Sequence, residues 1–127
     1  MKKMLIVEDD DLSIKVMEKI FRDDYEILYC ESAEEYYEKY GNINFDIIIM
    51  DVSLKGRMNG LELMKEIKKL PVLNGTLILC LTAHAQAKMR KSAIESGADL
   101  FITKPVSNNI LKEAVASLIM KHSKNTV

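Results

Sequence analysis

The 127-residue sequence predicts a single three-layer, doubly wound α/β domain, and three observations predict it. Apolar runs alternate with amphipathic stretches from one end to the other. The apolar runs are nearly continuous ("MLIV", "IIIM", "LILCL"), as expected of parallel strands buried on both faces. No linker, repeat or low-complexity segment interrupts the alternation, and the length suits one core with no room for a second.

"KMLIVE" (3–8) reads as the first strand. From Asp11 to Phe21, Leu12, Val16, Met17, Ile20 and Phe21 recur at helical spacing. "YEILYCE" (25–31) is the second strand. "SAEEYYEKYG" (32–41) is a helix opened by a capping box of Ser32 with Glu35 and closed by Gly41. "FDIIIMD" (45–51) is the third strand and the most apolar run. After the loop "VSLKGRMNG", Asn59 and Glu62 cap a helix that carries Leu63, Met64, Ile67 and Leu70 on one face. "GTLILCLT" (75–82) is the fourth strand, and residues 86–96 form a helix stopped by Gly97. "DLFITKP" (99–105) is the fifth strand, and the last helix carries Ile110, Leu111, Ala114, Val115, Leu118 and Ile119 in one stripe. The helix over 86–96 offers only Ala87, Met89, Ala93 and Ile94 as apolar positions. It therefore buries less surface than its neighbours and shifts at lower cost.

The 18 Lys and Arg balance 19 Asp and Glu, so bulk charge does not point to nucleic acid or a membrane surface. The N-terminus is too short in apolar residues for a signal peptide, and no run approaches the roughly 18 apolar residues of a membrane span. Cys30 and Cys80 lie inside apolar segments and read as small core residues of a reduced, cytoplasmic protein. The eight methionines read as core filler and tail, and His84 and His122 as surface residues, although His84 follows Thr82 by only two positions.

Glu8, Asp9, Asp10 and Asp11 end the first strand. Asp10 and Asp11 suit the cap and first turn of the following helix, where carboxylates meet the positive end of its dipole. Glu8 and Asp9 belong with the other strand ends. In a parallel sheet, ligands bind beyond the carboxyl ends of the strands, where this chain places Glu8 and Asp9, Asp51, Thr82 and Lys104. Asp51 could cap a strand-to-helix turn, but no helix follows it directly, which favours function, whereas Thr82 alone would pass as an ordinary strand-end residue. Together these residues supply hard oxygen ligands for Mg²⁺ (or Mn²⁺), a carboxylate nucleophile, a cation and a hydroxyl donor, the parts needed for phosphoryl transfer.

"LIVEDD", "IIIMD", "LTAHA" and "FITKP", in this order and spacing, resemble the receiver domain of two-component response regulators over essentially the whole chain. The resemblance implies a flavodoxin-like sheet in the order 2-1-3-4-5, with residues 1–122 as the receiver and 123–127 as a polar tail. It implies Asp51 as phosphoacceptor from a histidine kinase or phosphotransfer protein, and a metal held by Asp9, Asp51 and the Ser53 carbonyl, with Glu8 assisting through water. It further implies that Thr82 and Ala83 lie at the phosphoryl group, that Lys104 pairs with it, that the Lys104–Pro105 bond is cis, and that Phe101 is the switch aromatic. With that strand order Cys30 and Cys80 lie three strand spacings apart, roughly 14 Å, too far to pair.

The loop after the acceptor departs from the pattern. Lys55 stands where many receivers have proline, and "LKGRMNG" is about one residue longer than usual, which affects metal access and partner contacts at 54–59. The expected function is a phosphorylation-activated switch, not an enzyme on an external metabolite, either free-standing or excised from a larger regulator or hybrid kinase. It would signal to a downstream protein, with no nucleic-acid or membrane contact of its own. A phosphorylation-dependent homodimer through the last two helices and strand is left open. Two alternatives are a haloacid-dehalogenase-like phosphatase, which wants a second Asp where Ser53 stands, and a phosphate-independent receiver-like module, which would lack the acceptor or the lysine.

Overall fold

The computed structural model describes residues 1–52, 58–70, 75–83 and 87–125. Its elements are β1 (Lys2–Val7), α1 (Asp11–Phe21), β2 (Tyr25–Cys30), α2 (Ala33–Lys39), β3 (Ile47–Met50), α3 (Gly60–Lys69), β4 (Leu77–Thr82), α4 (Ala87–Glu95), β5 (Leu100–Thr103) and α5 (Asn108–Asn125). The five strands form one sheet in the order β2-β1-β3-β4-β5, and every pairing is parallel.

Alternate strand residues divide the core into two layers, because successive side chains in a strand point to opposite faces. Leu5, Val7, Ile48, Met50, Ile78 and Cys80 pack with α2, α3 and α4. Met4, Ile6, Ile47, Ile49, Leu79 and Leu81 pack with α1 and α5. Both layers are apolar, which is why the strands read as unbroken hydrophobic runs.

The helix boundaries follow local chemistry. Asn59 and Glu62 form the complete capping box of α3. At α2 only half of the expected box exists. The Ser32 hydroxyl accepts from the Glu35 N–H, but the Glu35 carboxylate pairs with Lys39 at 3.3 Å. Gly41 follows the Tyr40 cap without a left-handed backbone; among the described residues Gly97 alone takes positive φ, at 116°. α5 runs to Asn125.

Several apolar stripes extend beyond the core. In α1, Met17 and Phe21 are buried together with Ile14, whereas Leu12 is 70% exposed and Val16 is also exposed. Leu12 and Val16 line a groove of about 330 Å³ with Pro105, Val106 and Leu111. Leu70 and Ile110, expected on buried faces, are likewise exposed. In α4 Ala93 is the one buried residue, as its thin apolar face predicts.

β2 and β4 are separated by β1 and β3, and Cys30, Val7, Met50 and Cys80 lie in register across them. The two thiols are thus about 14 Å apart. Both are buried and unpaired, and burial pushes each thiol up to about 12.

Candidate phosphoacceptor and metal site

The site lies where the ladder bonds run one residue past the strands. The Glu8 N–H donates to the Cys30 carbonyl (3.1 Å), the Asp51 N–H to the Val7 carbonyl (3.0 Å), and the Lys104 N–H to the Thr82 carbonyl (2.8 Å). These bonds hold the first residues after β1, β3 and β5 in register, so side chains up to 96 positions apart in sequence meet at one sheet edge.

Carboxylate oxygens of Glu8, Asp9 and Asp51 lie within 4.8 Å of one another. Glu8 is 3% exposed and Asp51 8%, so their charges are poorly hydrated. Burial, followed by hydrogen bonding and charge from Asp51, pushes the Glu8 carboxyl up to about 7, and Lys104 opposes that rise. Such a set of hard oxygen donors, strained by mutual repulsion, fits a divalent cation, which would relieve the repulsion.

Lys104 Nζ donates to Glu8 Oε2 at 3.2 Å and lies 4.0 Å from Asp51 Oδ2. The Lys104–Pro105 peptide bond is cis. Thr82, at the end of β4, is fully buried, and Ala83 after it is exposed. Phe101 is buried on β5, opposite Cys80 in the register. Ser53, His84 and most of the longer loop, Lys55 included, lie outside the described residues.

The four consecutive acids divide into two jobs. Glu8 and Asp9 join Asp51, while Asp10 turns away and caps α1. The Asp10 carboxylate accepts from the Ser13 N–H (3.1 Å) and hydroxyl (2.6 Å), which hold it below the usual carboxylate range. Asp11 occupies the first turn of α1.

Gly60 belongs to the site although the sequence reading passed over it. A Cβ there would stand 2.2 Å from the Asp51 carbonyl oxygen and 2.7 Å from Val52 Cα, so only glycine lets α3 approach the turn after Asp51. The available signal was a poor helix former directly after an N-cap.

A five-stranded 2-1-3-4-5 parallel sheet with an acidic cluster and a lysine at its carboxyl edge defines a receiver of the response-regulator type. The chain belongs to that family: the model of the response regulator receiver domain matches residues 4–116. It is similar to the chemotaxis protein CheY of Thermotoga maritima, 34% identical over 91% of this chain and 96% of that protein. It is also similar to CheY of Halobacterium salinarum, at 29% identity over 93% and 97% of the two chains. It is 31% identical to the regulatory protein VanRB of Enterococcus faecalis over 94% of its own length, but spans only 53% of VanRB. The crystal structure of a CheY-like receiver domain protein from Methanospirillum hungatei superposes with a TM-score of 0.89 at 28% identity, covering 98% of each chain.

Receiver domains of two-component systems are phosphoacceptor signalling domains. They take a divalent metal in the active site and interact with histidine kinases and downstream effectors. Among the described residues no helix is long and apolar enough to cross a membrane.

Proposed function

We propose that this chain accepts a phosphoryl group on Asp51 from a phosphohistidine of a kinase or phosphotransfer protein and thereby switches its surface for a downstream protein. The observation that carries this reading is the meeting of Glu8, Asp9 and Asp51 within 4.8 Å, with Lys104 Nζ 4.0 Å from Asp51 Oδ2. An Asp51 oxygen attacks phosphorus as the bond to the donor nitrogen breaks. The charge on the transferred group is met by the Lys104 ammonium and by the Thr82 hydroxyl at the neighbouring strand end.

Glu8, Asp9 and Asp51, with the Ser53 carbonyl, are the residues that would hold Mg²⁺, or Mn²⁺ in its place. Bound there, the ion would neutralise carboxylate charge and polarise the phosphoryl oxygens. The Lys104–Glu8 contact keeps the lysine at the site before any phosphoryl group arrives. The chemistry is self-directed, uptake on Asp51 followed by its hydrolysis, with no external metabolite. Phe101 and the lightly anchored α4 are the elements that would relay the change, and a cytoplasmic setting suits two buried thiols.

The test is intact mass after incubation with acetyl phosphate and Mg²⁺. The wild type should gain one phosphoryl group, and Asp51→Asn and the chelated wild type none. An adduct that persists in Asp51→Asn would overturn the assignment.

A further inference from the structure

α4 is joined to the body of the domain by little apolar surface. Ala93 is its one buried residue, Met89 is partly buried against the core, and Ile94 is 48% exposed. A second kind of contact compensates. The guanidinium carbon of Arg90, in the middle of α4, lies over the ring of Phe101 on β5, 5.8 Å from its centroid. Phe101 itself is only 4% exposed and belongs to the buried cluster that also holds Ala93, Ala98 and Ile78, so the cation lies over a ring that is otherwise enclosed in the core.

We propose that Arg90 is a positioning residue for the switch, tying α4 to the Phe101 ring so that helix and ring move as one unit. The inference rests on the receiver reading given above. A phenylalanine has no hydroxyl through which to bond its surroundings, so packing and the ring face are its means of attachment. The negative face of the ring attracts a cation at this distance. A displacement of Phe101 on β5 therefore reaches α4 through Arg90, and a displacement of α4 reaches the ring by the same contact. Nothing in this role touches the phosphoryl chemistry, since Arg90 is on the helix and the acceptor on the far side of β4.

The experiment compares the full chain with Arg90→Gln and Arg90→Lys by amide hydrogen exchange, with phosphoryl uptake from acetyl phosphate and Mg²⁺ followed by intact mass. Without phosphate, Arg90→Gln should speed exchange across residues 87–95 by about two- to five-fold, the range expected for losing one partly exposed cation–π contact. Exchange in β1 and α1 should be unchanged, and Arg90→Lys, which keeps the cation, should restore the wild-type rates. Equal rates in Arg90→Gln and wild type, or equal acceleration in both variants, would overturn the proposal. Phosphoryl uptake should persist in both variants. A wild type that takes up no phosphoryl group would count against Asp51 as the acceptor, and the exchange comparison would still decide whether Arg90 ties α4 to the ring.

Discussion

Glu8 links the chemistry of the site to the stability of the domain. Its carboxyl is pushed up to about 7 from an ordinary value of 4.5, first by burial and then by Asp51. Between those values the folded chain binds more protons at this residue than the unfolded chain, so its contribution to stability is complete below pH about 4.5 and is lost as pH rises through about 7. For the metal-free protein the loss is on the order of 3 kcal/mol, a shift of this size converted at 1.36 kcal/mol per unit. Urea midpoints measured from pH 5 to 8 should fall with pH in the wild type, and this component should vanish in Glu8→Gln. In the same range the apparent Mg²⁺ affinity should rise with pH, because the ion displaces the Glu8 proton. A flat midpoint profile in the wild type would show that Glu8 is ionised throughout.

At the scale of elements, the turn after Asp51 and α3 come together only because Gly60 carries no side chain. The Gly60 N–H donates to the Val52 carbonyl at 3.2 Å, and a Cβ on Gly60 would collide with the Asp51 carbonyl. Gly60→Ala must push α3 and the end of β3 apart. It should cost about 1–3 kcal/mol of stability, the usual price of overpacking a tight contact, and should slow phosphoryl uptake as Asp51 is displaced. Asn59→Ala removes one cap at the same helix end and should cost about 1 kcal/mol with uptake unchanged. Denaturant melts and acetyl phosphate time courses on the two variants separate displacement of the acceptor from loss of helix stability. Equal uptake in both would mean that α3 sits there without influence on Asp51.

The helix boundaries were legible at this scale because they depend on near neighbours. The Asn59–Glu62 box and the stop at Gly97 are three-residue or single-residue effects and appear as expected. The reciprocal half of the Ser32 box does not form, and the Glu35 carboxylate pairs instead with Lys39, one turn further along. Leu12, Val16, Leu70 and Ile110 fit apolar stripes but lie outside the core. A stripe reports which face is apolar without reporting how far the neighbouring helix extends over it.

For the whole molecule, strand order governs what the thiols can do. Cys30 and Cys80 share a register row but are separated by two strands, and both are buried with their thiols pushed up to about 12. Neither should react with a thiol reagent at neutral pH in the native state, both should react in denaturant, and mild oxidation should give no intrachain disulfide. Rapid titration of either thiol in the native protein would show that the domain opens around β2 or β4 far more readily than its packing implies.

Sequence by itself determined the α/β class, the five strands and five helices, and the polar residues at the strand ends, since periodicity and capping are local and each apolar run declares its own burial. It also determined that Asp10 and Asp11 serve α1, because caps are read within one turn. Only the tertiary structure decided that Lys104 rests on Glu8, that Gly60 abuts the Asp51 carbonyl, that Arg90 covers Phe101, and that Leu12 and Val16 line an open groove. Each of these joins residues whose separation along the chain bears no relation to their separation in space. That relation exists only once strand order and register place the elements side by side.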